Sequence, residues 1–149
     1  MIYWLTGQPG HGKTVLSKML KHYIELNENT TVFNIDGDDL REILTNKDYS
    51  KQGRENNIKT AHSIARYLAN QGFDVIVSLV SPYKDQRDYF KEAMGDNIQE
   101  IYVHTSSIRG REQFHVANYE APTENFVDID TTSQGEFETF QILRQKLGL

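Results

Sequence analysis

Residues Gly7, Gln8, Pro9, Gly10, His11, Gly12, Lys13 and Thr14 read GQPGHGKT, a G-x-x-x-x-G-K-T pattern. The apolar run IYWLT precedes it and the helix-periodic run VLSKMLKHYIEL follows it. Glycines at 7, 10 and 12 let the chain wrap so that successive N–H groups face phosphate oxygens, and the start of a helix adds partial positive charge. In that setting Lys13 bridges the β- and γ-phosphates of a nucleoside triphosphate, the Thr14 hydroxyl sits on Mg²⁺, and the Val15 backbone N–H reaches the α-phosphate. Such a site serves hydrolysis and transfer alike. In motor and switch NTPases an Asp that holds Mg²⁺ or orients water ends an apolar strand, but DVIVSLVSP ends in serines. The carboxylates come instead from FNIDGDDLR, where Asp36, Asp38 and Asp39 emerge at the carboxyl end of the second strand, the end at which open α/β sheets bind ligands. A carboxylate there orients Mg²⁺ or accepts the proton of an attacking hydroxyl. This suits a small-molecule kinase better than a motor. DGDD has, equally, the composition of a solvated turn leading into a helix cap.

Those residues need a sheet and helices to hold them. Apolar runs of strand length alternate with helical patterns, the signature of strand–helix–strand units and a parallel sheet. The class is α/β, with strands expected at Ile2 to Thr6, Thr31 to Ile35, Asp74 to Val80, Ile98 to His104 and Val127 to Asp130. Val15, Leu16, Met19, Leu20, Tyr23 and Ile24 recur at helical spacing, as do Ile58, Ala61, Ala65, Leu68 and Ala69. A further helix carries Tyr89, Phe90 and Ala93, and a C-terminal one is expected to bury Phe137, Phe140, Leu143 and Leu147. Thr105 to Glu124 is polar and unpatterned, a candidate lid.

With 149 residues, one domain over 1–149 is expected, with no internal boundary. A net charge of −5 offers no large positive field for a phosphodiester backbone, which makes nucleic acid a poor partner. The chain has no cysteine, so disulfides, thiolate metal sites and thiol catalysis are excluded. The start MIYWLTGQPG lacks the basic region and longer apolar run of a signal peptide, and no segment reaches membrane-spanning length. A cytoplasmic location is expected. The five histidines show no ligand spacing.

The cradle, DGDDLR, GRENNIKT, VSPYKDQRD and YEAP occur in that order, and together they closely resemble the adenylylsulfate kinase family. Members transfer the γ-phosphate of ATP to the 3′-hydroxyl of adenosine 5′-phosphosulfate. The resemblance runs from Met1 to about Asp130 and implies a P-loop kinase fold, a three-layer α/β/α sandwich around a mostly parallel five-stranded sheet. It further implies that Asp36 and Asp38 join Lys13 at the reaction centre with Mg²⁺, and that Arg41 faces the anionic substrate. Tyr49 takes the place of the aromatic that stacks on the substrate adenine, Arg54 binds the phosphosulfate, and Asn57 matches directly. Val80, Ser81, Pro82 and Tyr83 line the substrate pocket. Ser81 occupies the position labelled a phosphoserine intermediate in the family. In-line transfer to a bound hydroxyl needs no covalent stage, and a serine also suits a turn before proline.

The sequence departs from the family at several points. Asp39 replaces Asn, Gly53 and Gln86 each replace Asp, and the long insertion before YEAP is reduced to SSIRGREQFHVAN. In the shortened lid, Arg109 or Arg111 is the candidate to pack on the ATP adenine and Phe114 the candidate to replace the missing aromatic. A shorter lid shields the reaction less, which keeps two other readings in view: a related kinase acting on another hydroxyl, and an ATP-binding module without catalysis. Exposed residues of Ile98 to His104 offer pairing with a second copy, which would make a homodimer. Val15 stands where the family places a second hydroxyl residue, so a Val15→Thr variant should bind ATP more tightly in calorimetry; equal affinity would remove the role given to that hydroxyl.

Overall fold

The computed structural model describes residues 1–149. Strands β1 (Ile2–Thr6), β2 (Val32–Asp36), β3 (Asp74–Ser78), β4 (Ile98–His104) and β5 (Val127–Asp130) form one sheet in the order β2-β3-β1-β4-β5. Every neighbouring pair is parallel. Helices α1 (Lys13–Glu28), α2 (Gly37–Leu44), α3 (Lys51–Asn70), α4 (Lys84–Met94) and α5 (Glu136–Leu147) cover it. The result is the α/β/α sandwich that the family resemblance implied. Side-chain alternation along β1 separates two cores. Ile2 and Trp4 join Leu40, Ile58, Ala61, Ala65, Phe90 and Met94 beneath α2, α3 and α4. Tyr3 and Leu5 join Leu16, Leu20, Ile24, Phe140 and Leu143 beneath α1 and α5. Every residue of β1 is buried, as a strand covered on both faces requires. Since α1 and α4 lie on opposite faces, the chain leaves the neighbouring strands β1 and β3 in opposite directions. A crevice opens beyond their carboxyl ends.

Several boundaries differ from expectation. Strand β2 lies one residue later than the expected Thr31 to Ile35, so Asp36 ends the strand and its side chain caps α2 by accepting from the N–H groups of Asp38 and Asp39 at 2.9 and 3.4 Å. DGDD is therefore the first turn of a helix as well as a carboxylate cluster. Strand β3 stops at Ser78 rather than Val80, because the Val80 carbonyl is drawn to the Thr6 hydroxyl at 2.7 Å and the Gly7 N–H at 3.3 Å. Phe137 is 68% exposed, not buried. At 100° per residue it lies about 90° off the stripe of Phe140, Leu143 and Leu147. Strand β4 is internal, with β1 on one side and β5 on the other. It has no free edge, so it cannot pair with a second copy.

The segment after β3 is held by a buried guanidinium. Arg87 donates from Nε to Glu100 Oε2 at 2.6 Å, from Nη1 to the Ser81 carbonyl at 2.7 Å, and from Nη2 to the Glu120 carbonyl. Lys91 takes the other Glu100 oxygen at 2.6 Å. The Arg87 and Glu100 side chains are each 2% exposed, so neither charge has water to fall back on. YEAP is built into the same knot. The Tyr119 hydroxyl meets that of Thr6 at 2.8 Å, the Glu120 N–H donates to the Pro82 carbonyl at 2.9 Å, and the Lys84 N–H at the start of α4 donates to Glu120 Oε1 at 3.1 Å. Removing one partner of a buried ion pair costs about 3–5 kcal/mol, and loss of Arg87 leaves Lys91 as the sole cation on Glu100. Arg87→Met should therefore lower the midpoint of thermal unfolding by roughly 10 °C; a shift within experimental error would show that the pair carries no such weight.

Candidate active site

A cavity of 790 Å³ occupies the crevice. Its wall brings together Pro9, Gly10, Gly12, Lys13, Thr14 and Val15 from the cradle with Asp36, Asp38 and Arg41 from the end of β2 and the start of α2. Tyr49, Arg54 and Asn57 enter from the loop before α3 and from α3 itself, Val80, Ser81 and Pro82 from the segment after β3, and Arg111 and Phe114 from the lid. Five of the residues singled out in the sequence are not part of this wall. Gly7 packs so tightly that a Cβ would stand 2.1 Å from the Val103 carbonyl oxygen, and its φ of 148° is one that side chains rarely adopt. Gln8 and His11 turn toward the lid. Tyr83 packs against the core beneath α3 and α4, with Lys51 Nζ 5.5 Å from its ring centre. Arg109 donates to the Thr131 carbonyl at 2.8 Å and to Thr105 Oγ1 at 3.3 Å, joining the segments that follow β4 and β5.

Cations outnumber anions on the wall although the chain is acidic. Lys13, Arg41, Arg54 and Arg111 face Asp36 and Asp38. Lys13 is buried, and its Nζ donates to the carbonyls of Gly7 and Gln8 at 2.7 and 2.9 Å. Burial pushes its ammonium down to about 8, with Asp36 pulling the other way and Arg111 adding to the fall. His11, at the cradle's tip, is pushed down to about 4 by burial and next by His115. It is therefore neutral at physiological pH. Asp36 has Oδ1 engaged in the α2 cap, while Asp38 is exposed on the cavity wall with no intramolecular acceptor role. Oxygen donors at Thr14, Asp36 and Asp38 share one cavity. Mg²⁺ takes one or two protein oxygens and completes its shell with phosphates and water, so this set fits it.

The far end is organised by Arg41 and Gly53. Arg41 Nη1 donates to the carbonyls of Asn46 and Asp48 at 3.2 and 3.1 Å, and its guanidinium lies 4.2 Å from the Tyr49 ring centre. One face of Tyr49 is covered and its ring is oriented. A Cβ on Gly53 would come within 2.3 Å of the Asp48 carbonyl oxygen. The departure at Gly53 thus lets the loop bearing Tyr49 settle on α3. Ser81 is 2% exposed at a φ of 48°, with its hydroxyl unpartnered and its carbonyl held by Arg87. The wall also includes Gln113, His115 and Val116 of the lid, which carry no motif and were not singled out from the sequence.

The sheet order and the cradle define a P-loop phosphotransferase fold. The adenylylsulphate kinase family model matches residues 1–129, and the chain belongs to that family. Among relatives, a cytidine diphosphoramidate kinase of Campylobacter jejuni is 36% identical over 102 residues, 68% of this chain and 59% of that protein. A probable adenylyl-sulfate kinase of Pyrococcus abyssi is 38% identical over 68% of this chain and 58% of its own length. Matches to these two span about three fifths of each relative. An adenylyl-sulfate kinase of Myxococcus xanthus is 29% identical over 97% of this chain and 91% of its own. The fold agrees with that of a Mycobacterium tuberculosis APS kinase solved in complex with AMPPNP and APS, at a TM-score of 0.82 and 19% identity over 99% of this chain and 97% of that one.

Lys13 sets a pH dependence whose sign follows from its depressed value. The fold carries the cost of a buried ammonium below about pH 8, and that cost is relieved as pH rises from there toward the ordinary lysine value of 10.5. Phosphate binding has the opposite requirement, since it needs the ammonium. ATP affinity should therefore fall above about pH 8, approaching about tenfold per unit, with proton uptake on binding. Calorimetry in buffers of different ionisation enthalpy reads both; affinity that stays flat to pH 9.5 would deny Lys13 this role.

Proposed function

We propose that this chain is an ATP- and Mg²⁺-dependent kinase that phosphorylates the 3′-hydroxyl of a nucleotide bearing an anionic 5′ group, with adenosine 5′-phosphosulfate as acceptor. The observation that carries the reading is one cavity in which Lys13, Thr14 and Asp36 meet Asp38, Arg41, Arg54 and Asn57. Its volume of 790 Å³ lies in the upper part of the range for ligand pockets, as two substrates require. Lys13 and the cradle N–H groups hold the triphosphate, and Thr14 and Asp36 would hold Mg²⁺, which neutralises charge on the phosphates. Asp38, free of the cap that occupies Asp36, accepts the acceptor's hydroxyl proton. The hydroxyl oxygen bonds to the γ-phosphorus as the bond to the β–γ bridging oxygen breaks, and ADP leaves. Arg54 and Arg41 bind the 5′ anion and Tyr49 stacks on the base. No covalent step at Ser81 is required.

The same reading treats 1–149 as one domain with 105–124 as its lid, working in the cytoplasm on small molecules. No helix is long and apolar enough to cross a membrane. A second acceptor is favoured by the short lid and by the 36% identity to a cytidine diphosphoramidate kinase. It is cytidine diphosphoramidate, which also presents a 5′ anion on a nucleoside. ADP release coupled to NADH oxidation, with adenosine 5′-phosphosulfate, cytidine diphosphoramidate, AMP, CMP and no acceptor, tests the reading. Release should depend on a 5′-extended nucleotide and fall to background in Lys13→Ala. Release only with cytidine diphosphoramidate would move the base specificity, and none with either would reassign the pocket around Arg41 and Arg54.

A further inference from the structure

Short as the lid is, its residues Arg111, Gln113, Phe114, His115 and Val116 form part of the cavity wall. What holds them there is the cradle itself. Gln8 Nε2 donates to the Val116 carbonyl at 2.9 Å, and the Val116 N–H donates to Gln8 Oε1 at 2.8 Å. The side-chain amide thus imitates the paired bonds that one strand makes to another. Two cradle neighbours extend the contact. The His11 ring meets the His115 ring edge-on, with centroids 5.1 Å apart at 83°, and Arg111 Cβ lies 3.1 Å from where a side chain on Gly10 would begin. Cradle positions 8, 10 and 11 therefore each meet a lid residue. The main-chain carbonyl of Gln8 accepts from Lys13 Nζ at 2.9 Å.

We propose that Gln8 is a positioning residue, a latch that seats Arg111–Val116 over the nucleotide and substitutes side-chain hydrogen bonds for the missing lid length. A lid already seated loses less freedom when ATP binds, and it excludes water from the γ-phosphate. Loss of the latch weakens ATP binding and admits water, while the groups that perform transfer stay where they are. The proposal rests on the cavity being the triphosphate site, but its structural half does not.

Three variants separate the two. Gln8→Met keeps the volume and loses both bonds. Gln8→Glu keeps the acceptor for the Val116 N–H and loses the donor. Val116→Pro removes the N–H from the lid side with the cradle untouched, and His115, at φ −60° and ψ 137°, already has the extended backbone that a following proline requires. Amide hydrogen exchange is the direct readout. The Val116 amide should exchange about tenfold faster in Gln8→Met and remain protected in Gln8→Glu. In Gln8→Met and Val116→Pro the Kd for ATP by calorimetry and the KM for ATP should rise about tenfold with kcat little changed, and ADP release without acceptor should increase relative to transfer. Unchanged Val116 exchange in Gln8→Met overturns the latch, whatever the kinetics. Faster exchange with unchanged ATP affinity and unchanged acceptor-free release overturns the positioning role. Should the unsubstituted protein bind no ATP, the reading of the cavity fails instead, while the exchange data still decide whether the latch exists.

Discussion

Arg87 is the constraint around which the site end of the molecule is arranged. A guanidinium offers five N–H donors in a rigid fork, and here three nitrogens reach three separate segments: Glu100 on β4, Ser81 after β3, and Glu120 near the end of the lid. Its burial leaves no cheap alternative partner. The carbonyl of Ser81 is thereby pulled away from a regular strand, the Ser81 backbone adopts its left-handed φ, and the cavity wall from Val80 to Pro82 turns inward. Tyr119 closes the knot by joining the Thr6 hydroxyl at the end of β1. The two strands that frame the crevice are thus tied through side chains just where their backbones diverge.

That tie explains why so short a lid is ordered around a site. Both ends of the segment are pinned, by Arg109 to Thr131 at the start and by Tyr119 and Glu120 at the finish. The span between them is therefore short, and the cost of closing it grows only slowly with its length. The cradle supplies the remaining contacts. Compared with a long insertion, this exchanges covering area for fixed geometry. The same economy operates at the other end, where a glycine at 53 lets the Tyr49 loop lie directly on α3 and Arg41 orients the ring.

Charge is distributed to the same end. An acidic chain presents four cations to one cavity, so long-range repulsion of an anionic substrate is offset where it docks. Lys13 illustrates the cost. Its ammonium is held by carbonyls within a buried cradle, and burial outweighs the help of Asp36. Such destabilised groups are the ones that gain most when an anion arrives. Asp36 and Asp38 divide labour for a local reason: the residue that ends β2 must cap α2, and the residue inside the first turn has its carboxylate free.

The sequence by itself determined what depends on neighbours along the chain. The cradle is contiguous, with strand, glycine turn and helix within about twenty residues, and its phosphate chemistry follows from local backbone geometry with the adjacent Lys13 and Thr14. The bounds of β1, β4 and β5 followed from apolar runs, and the α/β class from their alternation with helical patterns. Only the tertiary structure decided the rest. Arg87 and Glu100 lie thirteen residues apart and Gln8 and Val116 lie 108 apart, and nothing periodic marks either pair. The resemblance that placed Tyr83 among the pocket-lining residues could not tell a cavity wall from the support behind it. Which face a side chain on an irregular segment presents is set by hydrogen bonds to distant segments, and those partners exist only once the sheet has brought them together.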